Sequence, residues 1–279
     1  MKCLITAAGL GTRLIPLTKI IPKEMLPIYD RGIDQNLILK PILQVIFESL
    51  YDYKIRDYCF IVGKTKKAVE KHFKSDLSLV KNLQKERKNH HLNELLNFEK
   101  KLECSEITFK TQSNQEGFGN AIELGENFVK KDAFLLHAGD DIVISKNNNH
   151  LKKLEKNFRK FNADIAFLIE EVNDPSQYGV VEGNLIEKNI IEVKKIKEKP
   201  KKPKSNYAIV GIYLFKSKIF QYLNEAKKPN QNERQLDRAF QIALKNKDKI
   251  IGVILAKNEK RMDIGTPATY AKILKSLKT

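Results

Sequence analysis

The chain has 279 residues, of which 42% are hydrophobic and 30% charged, and its formal net charge is +17 at pH 7. This apolar content is sufficient for the core of one large α/β domain or two small ones. No segment approaches the roughly 18 consecutive apolar residues of a membrane-spanning helix, and no charged-then-apolar leader opens the chain. Three cysteines without metal-ligand spacing predict reduced thiols. We therefore expect a cytoplasmic protein with no membrane partner.

The positive charge raises the question of a nucleic-acid partner. However, the lysines are spread along the chain with acidic residues among them, and aromatic residues make up only 8%. We therefore expect no specific nucleic-acid partner. The charge is better suited to attracting small polyanionic substrates.

A glycine-rich loop follows the first predicted strand. Leu4 to Thr6 indicate the end of a short buried strand, and the sequence AAGLGTR follows over residues 7–13. Small residues let the backbone approach a ligand closely, and successive N–H groups can form a nest for anionic oxygens. Arg13 and Lys23 add positive charge to that loop. The pattern predicts a phosphate-binding loop, and the alternative is a strand-to-helix turn without a ligand.

Two commoner glycine loops are excluded by their spacing. A dinucleotide-binding fingerprint requires a third glycine, and Leu14 occupies its position. The P-loop of nucleoside triphosphatases ends in Gly-Lys-Ser/Thr, which is absent here.

The stretch AGLGTRLIPLTKIIPKEMLP, residues 8–27, resembles the signature of the sugar-1-phosphate nucleotidyltransferases. Its PKEMLP segment is most similar to the branch that uses UTP and glucose 1-phosphate. The resemblance implies a single α/β domain over residues 1–279, a three-layer α/β/α fold of the Rossmann-like glycosyltransferase A type with a mixed, mostly parallel sheet. It further implies a nucleotide-binding part at about 1–145, a sugar-phosphate-binding part at about 146–279, and a homo-oligomer.

The first half of the chain predicts a βαβ unit. Short buried strands at 2–6 and 58–62 flank a helix whose apolar residues 42–50 recur at helical spacing. Residues Asp30 to Leu39 interrupt the family pattern, and we expect them to form a surface excursion of unassigned purpose.

A second glycine-containing loop follows a predicted strand at Glu106 to Thr111. In the family, residues matching Gln112 and Gly117 meet the edge of the pyrimidine. A planar amide can donate and accept hydrogen bonds at once, which suits that edge. Glu116 stands where bacterial uridylyltransferases often have lysine, so the choice between UTP and dTTP stays open.

Acidic residues follow a buried strand at 133–137. The carboxyl end of such a strand is where α/β sheets bind ligands, although a lone Asp-Asp pair more often caps a turn. The resemblance makes Asp140 and Asp263 the ligands of Mg²⁺, and it leaves Asp141 to face the sugar or cap the next turn. Thr266 and Pro267 predict the start of the last helix.

The sugar-phosphate site is implied by Gly179 in a Tyr-Gly-Val-Val element, by Glu198 and Lys199, and by Asn206. Taken alone, the lysine-rich run at 194–204 indicates a solvated loop or an RNA-binding patch. Alternation along a strand would direct Glu198 and Lys199 to opposite sides. A bend at Pro200 is therefore needed to bring both residues into one site.

The resemblance implies transfer of UMP from UTP to glucose 1-phosphate, giving UDP-glucose and pyrophosphate. The alternatives are a thymidylyltransferase using dTTP, a glycosyltransferase of related fold, and a non-catalytic sugar-phosphate-binding regulatory homologue. The predicted catalytic residues are Arg13, Lys23, Asp140 and Lys199. The predicted nucleotide-binding residues are Ala8, Gly9, Gly11, Thr12, Arg13, Lys23, Gln112 and Gly117, and the predicted sugar-phosphate-binding residues are Asp141, Gly179, Glu198, Lys199 and Asn206.

Overall fold

The computed structural model describes residues 1–86, 89–114, 116–227 and 236–277. Its strands are β1 Lys2–Ala7, β2 Pro27–Arg31, β3 Leu37–Pro41, β4 Asp57–Gly63, β5 Glu106–Gln112, β6 Phe134–Ala138, β7 Asp141–Ile144, β8 Ile165–Glu171, β9 Gly179–Glu187, β10 Ile190–Glu198, β11 Tyr207–Phe215, β12 Ile250–Ile254 and β13 Lys260–Asp263. Its α-helices are α1 Ile42–Asp52, α2 Lys67–His72, α3 Leu77–Lys85, α4 Asn89–Glu103, α5 Phe118–Glu123, α6 Glu126–Val129, α7 Asn149–Lys160, α8 Ile219–Glu225, α9 Leu236–Lys245 and α10 Pro267–Leu277.

A nine-stranded sheet in the order β5-β4-β1-β6-β11-β8-β12-β10-β9 crosses the molecule. The strands β5, β4, β1 and β6 are parallel neighbours, as a βαβ unit requires. The strand β11 runs antiparallel to both β6 and β8, and β10 runs antiparallel to β12 and β9. The predicted mixed α/β sheet is confirmed, and its parallel half carries the glycine-rich loops.

Apolar side chains form one core layer on each face of the sheet. Along β1, Cys3 and Ile5 face one layer and Leu4 faces the other, and all three are fully buried. The first layer packs against α1, α7 and α10, and the second packs against α5, α8 and α9. Because successive strand residues point to opposite faces, continuously apolar strands such as β1 need helices on both sides. This arrangement confirms the three-layer α/β/α fold.

The segment that interrupts the family pattern, Asp30 to Leu39, forms most of a β-hairpin of β2 and β3. The hairpin turn is held by a hydrogen bond from the backbone N–H of Gly32 to the carbonyl of Asn36, 2.9 Å. The Tyr270 hydroxyl of α10 donates to the carbonyl of Pro27 at 2.7 Å and ties the hairpin to the last helix. The segment that we expected to be a surface excursion is therefore part of a regular β-hairpin.

The last helix begins where the sequence predicts. Pro267 is its first residue, and the backbone N–H of Thr269 donates to Oγ1 of Thr266 at 3.2 Å. This bond satisfies one of the free N–H groups at the helix start. Among the described residues, no helix is long and apolar enough to span a bilayer.

Acid is expected to destabilise the fold through His150, which lies in α7 with 2% of its surface exposed. Burial, followed by the charge of His137, lowers the pKa of His150 to about 4. The unfolded chain therefore binds a proton at His150 first. The stability contributed by neutral His150 is complete above pH 6.5 and is lost as the pH falls from 6.5 towards 4, with about 2 kcal/mol lost by pH 5.

Urea unfolding at pH 7 and pH 5 measures this loss, and His150→Leu provides the control. We expect the difference between the two pH values to shrink in His150→Leu by about 2 kcal/mol. An equal difference in both proteins would contradict the assignment to His150.

Candidate active site

The carboxyl ends of the parallel strands β5, β4, β1 and β6 meet at one edge of the sheet, where α/β folds bind ligands. A cavity of about 250 Å³ lies there, and we call it the nucleotide cavity after the ligand that the sequence predicts for its residues. It is lined by Thr6, Ala8, Gly9, Lys23, Glu24, Gln112, Gly117, Phe118, Ala121 and Asp140. The structure thus brings together residues from both glycine loops and the first predicted metal ligand.

Lys23 lies inside this cavity and forms an ion pair with Asp140. Its side chain crosses Gly9, where a Cβ atom would lie 3.6 Å from Cε of Lys23. Burial lowers the pKa of Lys23, but the charges of Asp140 and Glu24 outweigh burial and raise that pKa above its ordinary value. Lys23 therefore remains a cation held against the backbone of the glycine loop.

A buried ion pair between Lys66 and Glu24 holds the turn that carries Lys23. The Nζ atom of Lys66 donates to both carboxylate oxygens of Glu24, at 2.8 and 2.6 Å, and both side chains are less than 10% exposed. Because Glu24 directly follows Lys23, the pair anchors the turn that carries Lys23 to the start of α2. Sequence reasoning missed Lys66, and the only local signal was an acidic residue within a basic loop.

A small two-stranded sheet joins the two predicted metal ligands. The strand β7 pairs antiparallel with β13, so that Asp141 lies opposite Asp263. The backbone N–H of Ile264 also donates to the carbonyl of Asp140 at 3.1 Å. Burial, and then the charges of Asp141 and Asp140, raise the pKa of Asp263. The two acids are therefore close enough to interact, although they are far apart in the chain.

Arg261 fixes this small sheet through Asp141. Its Nε atom donates to both carboxylate oxygens of Asp141, at 2.9 and 3.0 Å, and Nη2 donates to Oδ2 at 2.6 Å. The backbone N–H of Gly211 adds a further bond to Oδ2 at 2.8 Å, and the guanidinium lies 4.7 Å from the centre of the Tyr178 ring. Asp141 is therefore the partner of a buried arginine. The contact with the sugar that the sequence suggested for Asp141 stays a prediction.

A second cavity of about 950 Å³ lies beside the first, and Phe118 lines both. We call it the sugar cavity after the ligand that the sequence predicts for Glu198 and Lys199. Its polar lining includes Arg13, Asp141, Gln177, Glu198, Lys199, Asp237, Arg261, Asp263, Thr266 and Thr269, together with the backbone of Gly179 and Gly265. Sequence reasoning missed Gln177 and Thr269. These residues carry no local pattern that separates them from ordinary surface positions.

Glu198 and Lys199 both line the sugar cavity, so the structure brings them into one place as the sequence predicts. The strand β10 ends at Glu198, and Lys199 adopts a positive φ of 42°. Left-handed backbone is uncommon for a side chain of this size. The bend that turns both side chains towards one site therefore lies at Lys199, one residue before the predicted position at Pro200. Gly179 lies opposite Glu198 in the β9–β10 pairing.

Arg13 lines the sugar cavity close to Asp263. A Cβ atom at Gly265 would lie 3.1 Å from Nη2 of Arg13 and 3.2 Å from Oδ2 of Asp263. Gly11 and Thr12 contribute to neither cavity. Gly11 adopts a φ of 66° and its carbonyl accepts a hydrogen bond from the Thr18 hydroxyl at 2.8 Å, so it shapes the loop. Its predicted contact with the nucleotide stays a prediction.

Asn206 differs from the sequence expectation. Its side chain is exposed, and Nδ2 donates to Oε1 of Glu171 at 2.7 Å. It lines neither the nucleotide cavity nor the sugar cavity. In this conformation Asn206 holds the start of β11 against the end of β8, and the sugar contact predicted for it has no support in the geometry.

Comparisons with known proteins give the family of this chain. A family model described as "Nucleotidyl transferase" matches residues 2–279. UTP--glucose-1-phosphate uridylyltransferase of Mycoplasma genitalium is 36% identical over 282 residues, covering 97% of this chain and 89% of that protein. The Bacillus subtilis protein of the same name is 34% identical over 243 residues, covering 86% of this chain and 79% of that protein.

Solved structures show the same fold. A UDP-glucose pyrophosphorylase complexed with UDP-glucose superposes with a TM-score of 0.82 at 30% identity, covering 99% of this chain and 98% of that chain. A UTP-bound enzyme of Acinetobacter baumannii superposes with a TM-score of 0.84 at 25% identity, covering 99% and 92% of the two chains. The chain belongs to the nucleotidyl transferase family.

Proposed function

We propose that this protein transfers UMP from UTP to glucose 1-phosphate, giving UDP-glucose and pyrophosphate. The observation that carries the proposal is the junction of the two cavities. There Lys23, Asp140 and Asp263 lie between a nucleotide cavity built from the glycine loops and a cavity lined by Glu198 and Lys199. The names of the relatives support UTP and glucose 1-phosphate as the two substrates.

The reaction forms a bond between a sugar-phosphate oxygen and the α-phosphorus of UTP, and it breaks the bond from that phosphorus to the departing pyrophosphate. The attacking oxygen is already ionised at neutral pH, so no general base is needed. The barrier comes mainly from repulsion between two polyanions, which positioning and neutralisation of charge reduce. Lys23 and Arg13 would neutralise the triphosphate, and Lys199 would guide the sugar phosphate from its own cavity.

A divalent metal fits the acids at this junction. Among the described residues, no group of three or more His, Cys, Asp or Glu side chains could hold an ion by itself. Mg²⁺ is commonly bound by one or two carboxylates together with substrate phosphates and water. Asp140 and Asp263 would hold Mg²⁺ when the triphosphate is bound, and the ion would supply positive charge at the phosphate oxygens.

The two cavities support a nucleotide-binding part in the first half of the chain and a sugar-phosphate-binding part in the second half. The residues of the nucleotide cavity all precede residue 145, and most residues of the sugar cavity follow residue 146.

We also propose that the protein is a cytoplasmic homo-oligomer. The resemblance of the sequence to its family implies the assembly, and size-exclusion chromatography with light scattering tests it.

Pyrophosphate release tests the proposed reaction directly. UTP, dTTP, CTP and ATP should each be combined with glucose 1-phosphate, and UTP also with galactose 1-phosphate and mannose 1-phosphate, with and without Mg²⁺. We expect UTP with glucose 1-phosphate and Mg²⁺ to give the highest kcat/KM. Absence of pyrophosphate release in every combination would refute the proposed function, and preference for dTTP would identify a thymidylyltransferase.

A further inference from the structure

Gln112 lies at the end of β5, beside Gly63 of β4, and it lines the nucleotide cavity with only 6% of its surface exposed. Its side-chain nitrogen Nε2 lies 3.0 Å from the carbonyl oxygen of Gly117 and 2.9 Å from Oδ1 of Asn120. These two contacts leave the amide little freedom to rotate. The orientation of Gln112 is therefore set by residues of the loop and helix that follow it.

The contacts also determine which end of the amide faces the cavity. A backbone carbonyl only accepts hydrogen bonds, so the atom beside Gly117 must be the donor NH₂ group of Gln112. That group has two hydrogens and no lone pair for hydrogen bonding. The atom of Asn120 that contacts it must consequently be the acceptor oxygen.

Both hydrogens of the Gln112 amide are thus used within the protein. Its carbonyl oxygen has no hydrogen-bond partner among the described residues, so this oxygen is the group left to meet a ligand. The sequence suggested an amide that both donates and accepts at the base. The structure instead leaves Gln112 as an acceptor only.

We propose that Asn120 is a positioning residue for base specificity, because its Oδ1 atom accepts the second hydrogen of the Gln112 amide and reinforces the orientation that the Gly117 carbonyl requires. The inference rests on the proposed function, because it assigns the carbonyl of Gln112 to the N3–H group of a bound uracil. Cytosine has an unprotonated N3, whose lone pair would face the lone pairs of that carbonyl. The arrangement therefore favours UTP and dTTP over CTP.

Asn120 is suited to this role by its position. It lies in the first turn of α5, Phe118–Glu123, which packs against β1 and α8 and holds its side chains in place. Gly117 precedes the helix and supplies the other acceptor, its backbone carbonyl oxygen. Without Asn120, one hydrogen of the Gln112 amide would lose its partner. The Gly117 carbonyl alone would then oppose the rotation that offers an N–H donor to the lone pair of cytosine.

The test compares Asn120→Ala with Asn120→Asp, in which a carboxylate oxygen can still accept from Gln112. The ratio of kcat/KM for UTP to kcat/KM for CTP is measured with glucose 1-phosphate. Loss of one orienting hydrogen bond is expected to lower this ratio roughly tenfold in Asn120→Ala. Asn120→Asp should retain most of the wild-type ratio. Asn114→Ala, a change at an exposed residue of the same loop, should leave it unaltered.

An unchanged ratio in folded Asn120→Ala would overturn the proposal, as would an equal fall in Asn120→Asp. A purely structural role would lower both kcat/KM values together, leaving the ratio constant. Calorimetric binding of UTP and CTP without sugar phosphate provides a readout that needs no turnover. If the wild type binds UTP more tightly than CTP but releases no pyrophosphate, the proposed function fails while the assignment of Asn120 is still tested by binding.

Discussion

Replacing Lys23 with alanine is expected to lower kcat by roughly 10²- to 10³-fold, the usual effect of removing one preorganised charged group from an active site. Lys23 is the cation that lies across Gly9 and contacts Asp140, where the triphosphate would develop charge as pyrophosphate leaves. Solvent or a distant lysine cannot replace it, because its ammonium is held in the cavity by the turn that Glu24 and Lys66 anchor. The measurement is pyrophosphate release at saturating UTP and glucose 1-phosphate.

Lys19→Ala is the matched control for this prediction. Lys19 belongs to the same loop but is exposed and lines neither cavity. Its replacement should alter kcat by less than about threefold, because an exposed charge interacts weakly through water. Turnover close to wild type in a folded Lys23→Ala protein would refute the catalytic assignment of Lys23. Circular dichroism and thermal unfolding establish that each variant is folded.

Arg261→Met is expected to lower the free energy of unfolding by about 3–5 kcal/mol, the typical cost of breaking a buried ion pair from one side. The side chains of Arg261 and Asp141 are 8% and 6% exposed, so the variant leaves the Asp141 carboxylate buried without its cation. Burial lowers the pKa of Arg261, but Asp141 outweighs burial and raises that pKa above its ordinary value, so the arginine is charged at every pH at which the protein folds. Urea-induced unfolding measures the change.

The exposed pair of Arg159 and Glu155 supplies the comparison. The Arg159 side chain is 76% exposed, and its bond to Glu155 spans one helical turn. Arg159→Met should therefore cost less than about 1 kcal/mol. In addition, Asp141→Leu combined with Arg261→Met should recover part of the lost stability, because no unpaired charge remains. Equal costs for Arg261→Met and Arg159→Met would show that the pair with Asp141 does not stabilise β7 against β13.

Several features of the site depend on local sequence and could be predicted. The apolar residues of β1 and β4 predict buried strands, and their alternation between two core layers follows from the period of a strand. The glycines and small residues at 7–11 predict a loop that a ligand can approach. Thr266 and Pro267 predict a helix start because capping needs only neighbouring residues. Each of these properties depends on residues that are close together in the sequence.

The sequence by itself determined the glycine-rich loop, the βαβ order of the first half and the identity of the charged residues available for chemistry. Only the tertiary structure decided that β7 pairs with β13, which brings Asp140 to Asp263 and buries Arg261 against Asp141. It also decided that Gln112 donates to Asn120, and that Asn206 donates to Glu171 and lines neither cavity. The physical reason is that strands as short as β7 and β13 have no distinctive pattern of their own, so their pairing is set by the surrounding packing.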